Sequence, residues 1–177
     1  PPVVYSEKED PAVLLLCGAD LLNAFWQSAE RPHQMVEIEM PFNVELVPGA
    51  RFVGVFDAVV QDADGTYRIL EHKTAAKRWT ADRIANDLQV SLYTEAATML
   101  GFGDARVDIQ LLLKTKTPAF EVVPAPRSRR DLDDALELLA GVSRAAEEGI
   151  FYAVRDWQCN GCAYASLCLC GEPEVKP

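Results

Sequence analysis

The stretch GVFDAVVQDADGTYRILEHKTA, from Gly54 to Ala75, predicts a β-hairpin that carries charged residues within its strands. Its two halves are rich in Val, Ile and Phe, and the Asp-Gly pair in the segment 62–65 between them favours the positive φ angles of a tight turn. Strand interiors disfavour Asp, Glu and Lys unless the protein uses them. Asp57 on the first strand, and Glu71 and Lys73 on the second, are therefore candidates for a functional site.

The flanking sequence predicts a sheet with helices around it. Five segments are alternating or continuously apolar, which is typical of strands. They are residues 34–46, 51–60, 66–75, 106–115 and 120–126. Three segments repeat apolar residues at helical spacing and predict helices at 8–30, 80–101 and 128–149. This order predicts an α/β fold in which a central sheet is flanked by helices.

Length and composition favour a single domain that spans residues 1–177. Of these residues 49% are hydrophobic and 25% are charged, which is enough apolar material for a substantial core. No apolar run approaches the roughly 20 residues of a membrane-spanning helix. The apolar segment 13–16 is short and follows acidic residues, which does not suit a signal peptide. We expect a cytoplasmic protein without a membrane partner.

The charge of the chain is negative overall but unevenly distributed. A net charge of −10 argues against broad non-specific DNA binding. Residues 68–83, however, contain five basic and two acidic residues, and residues 104–130 contain six basic and three acidic residues. The middle of the chain is therefore the part that could face a polyanion.

The charged residues of the hairpin are spaced so that they can act on a phosphate together. Glu71 and Lys73 are two positions apart on one strand and point to the same face, whereas His72 points to the other. The hairpin brings Asp57 close to Glu71, and two neighbouring carboxylates are compatible when Mg²⁺ or Mn²⁺ lies between them. A lysine beside them completes the groups for metal-assisted phosphodiester hydrolysis. A surface ion pair on a half-exposed strand is the alternative.

The helix predicted after this hairpin adds two polar residues on one face. Gln89 and Tyr93, in the stretch LQVSLY, are four residues apart, so both can reach toward the lysine and a phosphate. The pattern is common by itself, and its weight comes from its position in the first helix after the Glu-x-Lys strand.

In this order the motifs Gly-x-x-Asp, Glu-x-Lys and Gln-x-x-x-Tyr resemble the PD-(D/E)XK nuclease superfamily. They are most similar to its RecB-like branch, which includes exonucleases of the CRISPR-adaptation type. The resemblance covers about residues 34–168 and implies a restriction-endonuclease-like fold with its catalytic sheet and helix core at 34–126. It also implies roles for six residues: Asp57 and Glu71 as ligands of Mg²⁺ or Mn²⁺, the carbonyl of His72 as a further ligand, Lys73 as the catalytic lysine, and Gln89 and Tyr93 as residues that orient the lysine or the DNA backbone.

The chain departs from the pattern of that branch at two points. Phe56 precedes the first aspartate, where the branch often has proline. The branch also has a metal-binding histidine on an N-terminal helix, which we do not place: His33 substitutes for it, it lies upstream of Pro1, or it is absent. Glu37 and Glu39 share a strand face and are candidates to support the site, although glutamates at a sheet edge are common.

The cysteines near the C-terminus predict a metal-binding tail at residues 157–170. Cys159, Cys162 and Cys168 form a Cys-x2-Cys-x5-Cys pattern, and the odd total of five cysteines is a poor disulfide framework. Thiolates at this spacing favour zinc or an iron–sulfur cluster. Members of the same nuclease branch bind a 4Fe-4S cluster through such a pattern, where the cluster staples the chain ends together. Cys17, Cys170 or a residue upstream of Pro1 is the candidate fourth ligand.

The loop after the catalytic strand contains three candidates for DNA binding: Lys77, Arg78 and Trp79. The resemblance as a whole implies a metal-dependent DNA nuclease, an exonuclease on single-stranded DNA or DNA ends. It implies work in recombination, repair or CRISPR spacer processing, with a helicase or a CRISPR adaptation protein as partner. The alternative is a catalytically inactive DNA-binding or scaffold module that retains the fold and the cluster.

Overall fold

The predicted sheet is present in the structure, a computed structural model that describes residues 10–151 and 153–170. Two compact units make up the chain, Pro1–Ala140 and Gly141–Pro177. The sheet belongs to the first unit, and its strands lie in the order β1-β2-β3-β4-β5. The strands are β1 Gln34–Val47, β2 Ala50–Gln61, β3 Tyr67–Ala75, β4 Arg106–Leu113 and β5 Ala119–Pro124. The expectation of a single domain stays a prediction.

The sheet is mixed because one of its four pairings is parallel. β1 with β2, β2 with β3, and β4 with β5 are antiparallel, whereas β3 and β4 run parallel. Parallel neighbours need a crossover connection, and the chain supplies one between residues 75 and 106 that contains helices. The helices of the chain are α1 Pro11–Ser28, α2 Ala81–Ala85, α3 Leu88–Ala97, α4 Arg129–Glu147 and α5 Ala165–Cys170. The expected α/β fold with helices around a mixed sheet is confirmed.

The strands β2 and β3 separate at the point where the candidate site lies. β2 pairs with β1 along nearly its whole length, but with β3 only from Ala58–Leu70 to Gln61–Tyr67. Asp57 and Glu71 are the first residues beyond the last of these pairs. The sheet therefore opens into a fork, and both carboxylates lie at its base.

The hydrophobic core lies between one face of the sheet and α3. Its buried members come from all five strands or the loops beside them, and from α3. They include Phe42, Phe56, Val59, Ile69, Val90, Tyr93, Val107, Ile109 and Leu111. Gly54 has no room for a side chain here, because a Cβ at this position would lie 2.5 Å from Cζ of Phe42. The motif glycine is thus required by packing.

The helix expected at 80–101 is broken, and this part of the prediction is wrong. Thr80 caps α2 as its spacing indicates, accepting a hydrogen bond from the Arg83 N–H at 3.2 Å. The side chain of Asp87 then starts a new helix, α3, by accepting from the Val90 N–H at 3.2 Å. A short π-helical turn, Thr98–Phe102, follows α3. A second N-cap inside an apolar periodic stretch explains the break.

Helix α1 packs on the sheet at β4 and β5. Asp10 caps its start by accepting from the Ala12 N–H at 2.8 Å. The ring of Phe25 lies edge-on to Phe120, with centroids 5.0 Å apart, and edge-on to His72 at 6.0 Å. Among the helices of the described residues, none has the length and apolar character needed to cross a membrane.

Candidate active site

The half-buried carboxylate of Asp57 links β2 to β3 at the base of the fork. Its Oδ2 accepts a hydrogen bond from the backbone N–H of His72 at 2.7 Å, and Nδ1 of the same residue is 3.6 Å from that oxygen. This N–H belongs to the part of β3 that no longer pairs with β2. The carboxylate therefore accepts the hydrogen bond that a strand partner would otherwise accept, and it is fixed beside Glu71.

Glu71 is a buried carboxylate with one unsatisfied oxygen. The residue is 4% exposed, and its Oε1 accepts a hydrogen bond from Nε2 of Gln89 at 2.9 Å and pairs with Nζ of Lys73. Its second oxygen, Oε2, is buried without a hydrogen-bond partner. Burial raises the pKa of Glu71, and the charge of Asp57 adds to the effect, while Lys73 and Gln89 oppose it. A buried oxygen left in this state is costly unless something binds it.

Gln89 joins the catalytic candidates to helix α3. Its Oε1 accepts from Nζ of Lys73 at 2.9 Å while its Nε2 donates to Glu71. One amide therefore sets the position of both charged side chains. The N-cap by Asp87 fixes where α3 begins, and Gln89 follows two residues later.

Tyr93 anchors the helix to the other arm of the fork. Its hydroxyl donates to the carbonyl of Val55 at 2.9 Å, two residues before Asp57. Its ring lies edge-on to Phe56, with centroids 5.0 Å apart. Burial raises the pKa of Tyr93, so the hydroxyl keeps the proton that it donates. The structure thus places Gln89 against the lysine and Tyr93 against strand β2.

Arg127 is a structural clamp behind the site that the sequence did not reveal. Its Nε donates to Oγ of Ser91 at 2.9 Å, and its Nη2 donates to the carbonyls of Ile84 at 2.7 Å and Asp87 at 3.0 Å. Burial lowers the pKa of this guanidinium. The guanidinium therefore holds the junction of α2 and α3, from which Gln89 projects. The Ile84 and Asp87 carbonyls lie at the break between α2 and α3, where the sequence predicted one continuous helix.

The acidic pair fits a divalent cation of the Mg²⁺ or Mn²⁺ type. Hard oxygen donors suit these ions, and Mg²⁺ binds proteins through one or two carboxylates while it keeps several water molecules. The orphaned Oε2 of Glu71 beside Asp57 provides such a donor set. In the described part of the chain, no cluster of three or more His, Cys, Asp or Glu residues forms a metal site. His33, Glu37 and Glu39 are exposed and add no third acidic or imidazole ligand.

The cysteines do not form an assembled cluster site in the described residues. Cys17 is half-buried on α1 in the first unit. In the second unit, Cys159 is half-buried and Cys162 and Cys168 are exposed, and the Cys162 N–H donates to the Cys159 carbonyl at 3.3 Å. The side chain of Cys170 lies outside the described residues. The residues described do not bring three of these thiols together, so the iron–sulfur cluster is not supported by their geometry.

Two of the three DNA-binding candidates already have partners within the protein. Nε of Arg78 donates to Oε1 of Glu121 at 2.6 Å, and this pairing raises the pKa of Arg78. Trp79 is half-buried, and the guanidinium of Arg83 lies 3.8 Å from its ring centroid. Lys77 is exposed. Trp79 is therefore part of the packing around α2 as well as a candidate for base stacking.

Comparisons with known proteins identify a family for the chain and a solved structure of similar fold. The model of the PD-(D/E)XK nuclease superfamily matches residues 8–169. A putative exonuclease from Eubacterium rectale has a similar crystal structure, with a TM-score of 0.64 and 14% identity, covering 98% of this chain and 66% of that one. A crystal structure of SSO0001 matches with a TM-score of 0.49 and 18% identity, covering 92% of this chain and 73% of that one. No curated protein matches the chain in sequence.

The family match covers all five strands of the sheet and the helices α1 to α4. At 14% identity the structural likeness concerns the fold, and the chain spans 66% of the length of the exonuclease that it resembles. The family match extends over most of the chain. The chain belongs to the PD-(D/E)XK nuclease superfamily.

Proposed function

We propose that the chain is a metal-dependent deoxyribonuclease that acts as an exonuclease on single-stranded DNA or DNA ends. One observation carries the proposal: the buried carboxylate of Glu71 keeps Oε2 unpartnered while Lys73 and Gln89 hold its other oxygen. A purely structural ion pair would not need a buried orphan oxygen next to a second carboxylate.

In this proposal Asp57 and Glu71 hold Mg²⁺ or Mn²⁺, with the carbonyl of His72 as a further candidate ligand. The ion would activate water and offset the charge of the phosphate. Lys73 places its ammonium group where negative charge develops on the phosphate, and Gln89 keeps that group in position through the 2.9 Å contact. Tyr93 maintains the fork through Val55.

The biological setting that we propose is recombination, repair or CRISPR spacer processing in the cytoplasm. A helicase or a CRISPR adaptation protein would be the partner. The basic segment 68–83 and the loop at Lys77, Arg78 and Trp79 would contact the DNA backbone, since phosphate contacts supply most of the non-specific affinity for DNA.

The test is a cleavage assay on DNA labelled at either end, with circular single-stranded DNA alongside, in Mg²⁺, Mn²⁺ or EDTA. We expect metal-dependent degradation of linear DNA, a ladder from one end, and intact circles. Glu71→Gln should abolish cleavage, whereas Glu137→Gln, at an exposed glutamate of α4, should not. Cleavage in EDTA, or equal cleavage by Glu71→Gln, would refute the assignment.

The alternative is a DNA-binding module without catalysis. One observation favours this alternative: among the described residues, no third His, Cys, Asp or Glu joins Asp57 and Glu71 at the site. DNA binding in the same buffers without any metal-dependent cleavage would support the alternative over the nuclease.

We also propose a structural 4Fe-4S cluster, on the spacing of Cys159, Cys162 and Cys168, with Cys17 or Cys170 as the fourth ligand. Protein purified without oxygen should absorb broadly near ~400 nm, and Cys162→Ala should remove that absorbance. Colourless protein with bound zinc would refute the cluster and leave the nuclease proposal untouched.

A further inference from the structure

An apolar groove lies beside the candidate site, between α3 and the part of β2 that pairs with β1 but not with β3. Phe52, Val53 and Gly54 form its wall on the strand side, and Leu88 and Leu92 form its wall on the helix side. The groove has a volume of about 330 Å³. No charged side chain of the described residues lines it.

The mouth of this groove exposes large apolar side chains. Val53 is 66% exposed and Leu88 is 41% exposed. The wall beneath them is firm: the ring of Phe52 packs at 5.4 Å from Phe42 and at 6.2 Å from Tyr93, measured between centroids. A rigid aromatic wall with an open apolar mouth is the kind of surface on which a flat ring stacks.

Gln89 connects the groove to the catalytic candidates. It lines the groove with Tyr93, and its amide contacts Glu71 and Lys73, each at 2.9 Å. Anything seated in the groove therefore contacts a residue, Gln89, that is hydrogen-bonded to both Glu71 and Lys73. In DNA, the group next to a phosphate that has two apolar faces is the nucleobase.

We propose that this groove binds one unpaired nucleobase next to the phosphate that is cut, an inference that rests on the proposed nuclease function. A base in a duplex is stacked and paired, so it enters a groove between a helix and a strand only after it has left the duplex. The groove therefore selects single strands and frayed ends. The apolar walls hold the base by stacking and contact, so they accept every base.

The experiment uses end-labelled thymidine oligonucleotides in Mn²⁺, in which a single nucleotide at successive positions lacks its base. Wild-type protein should lose about tenfold in kcat/KM when the missing base is the one next to the cut phosphate. In Leu88→Ser the intact substrate should be cut more slowly, and the loss caused by the missing base should shrink to about twofold. Leu14→Ser is the matched control, since Leu14 is 43% exposed in the first turn of α1 and does not line the groove, and it should behave as wild type.

Val53→Ser tests the opposite wall and keeps the inference testable if Leu88→Ser does not fold. The inference is overturned if wild-type protein cuts intact and base-free substrates equally at every position, or cuts blunt duplexes as fast as single strands. Either result leaves the nuclease standing, because DNA is still cleaved. If wild-type protein cuts none of these oligonucleotides, the proposed function itself fails and the inference fails with it.

Discussion

Gly54→Ala should destabilise the protein by about 1–3 kcal/mol, the usual cost of an extra methyl group in a filled core. The new Cβ would lie 2.5 Å from Cζ, 3.0 Å from Cε1 and 3.2 Å from Cε2 of Phe42. The ring of Phe42 has little room to move, because it is buried and its centroid lies 4.4 Å from that of Phe56 and 5.6 Å from that of Tyr93. For a chain of this size, each kcal/mol lowers the melting temperature by about 2–4 °C.

Thermal unfolding followed by circular dichroism measures the effect, and Gly18→Ala is the matched control. Gly18 lies inside α1 with nothing within 4 Å of an added Cβ, so alanine there should stabilise by about 0.5–1 kcal/mol. Phe42→Leu should cost less in the Gly54→Ala background than in wild type, because removing the ring removes the clash. Equal melting temperatures for the two glycine variants, or strict additivity with Phe42→Leu, would refute the packing argument.

Three further predictions concern the site. Lys73→Ala should still fold, as circular dichroism would show, but lose at least about a hundredfold in single-turnover cleavage, and normal cleavage would contradict its role. Burial raises the pKa of Glu71, so native protein keeps a proton that the unfolded chain has released. In EDTA, stability should therefore fall as the pH rises between the ordinary glutamate pKa and the raised native value, and Glu71→Gln should remove this slope in urea titrations at several pH values. Arg127→Met should cost about 2–4 kcal/mol in urea unfolding, because it removes the charged donor from the Ile84 and Asp87 carbonyls and from Oγ of Ser91; wild-type stability would refute the clamp.

The hairpin and its charged residues follow from local sequence patterns, which is why the prediction from sequence is good there. The turn at 62–65 is formed as expected, with Gly65 at a φ of 87° and its N–H donating to the Asp62 carbonyl at 3.0 Å. The alternation that puts Glu71 and Lys73 on one face is a property of any strand. Their contacts with Gln89 depend on the face of α3 that this residue shares with Tyr93, four residues later. Helical periodicity indicates this shared face as well.

The features that the sequence did not predict arise from tertiary contacts. Alternation cannot show where β2 and β3 separate, so the hydrogen bond from His72 to Asp57 was not foreseen. The break before α3 had a local signal in Asp87, but the apolar repeat across it favours one continuous helix. Arg127 carries no sign in the sequence that distinguishes it from a surface arginine, since the partners that bury it, Ser91, Ile84 and Asp87, are distant in sequence.

The central claim is that Asp57 and Glu71 hold the ion that cleavage requires. The most direct measurement is single-turnover cleavage of end-labelled single-stranded DNA by wild-type protein and Glu71→Gln, with Mn²⁺ titrated from zero and melting temperatures recorded in the same series. We expect Mn²⁺ to raise both the cleavage rate and the melting temperature of wild type and to change neither in Glu71→Gln. Equal Mn²⁺ responses of the two proteins would contradict the account.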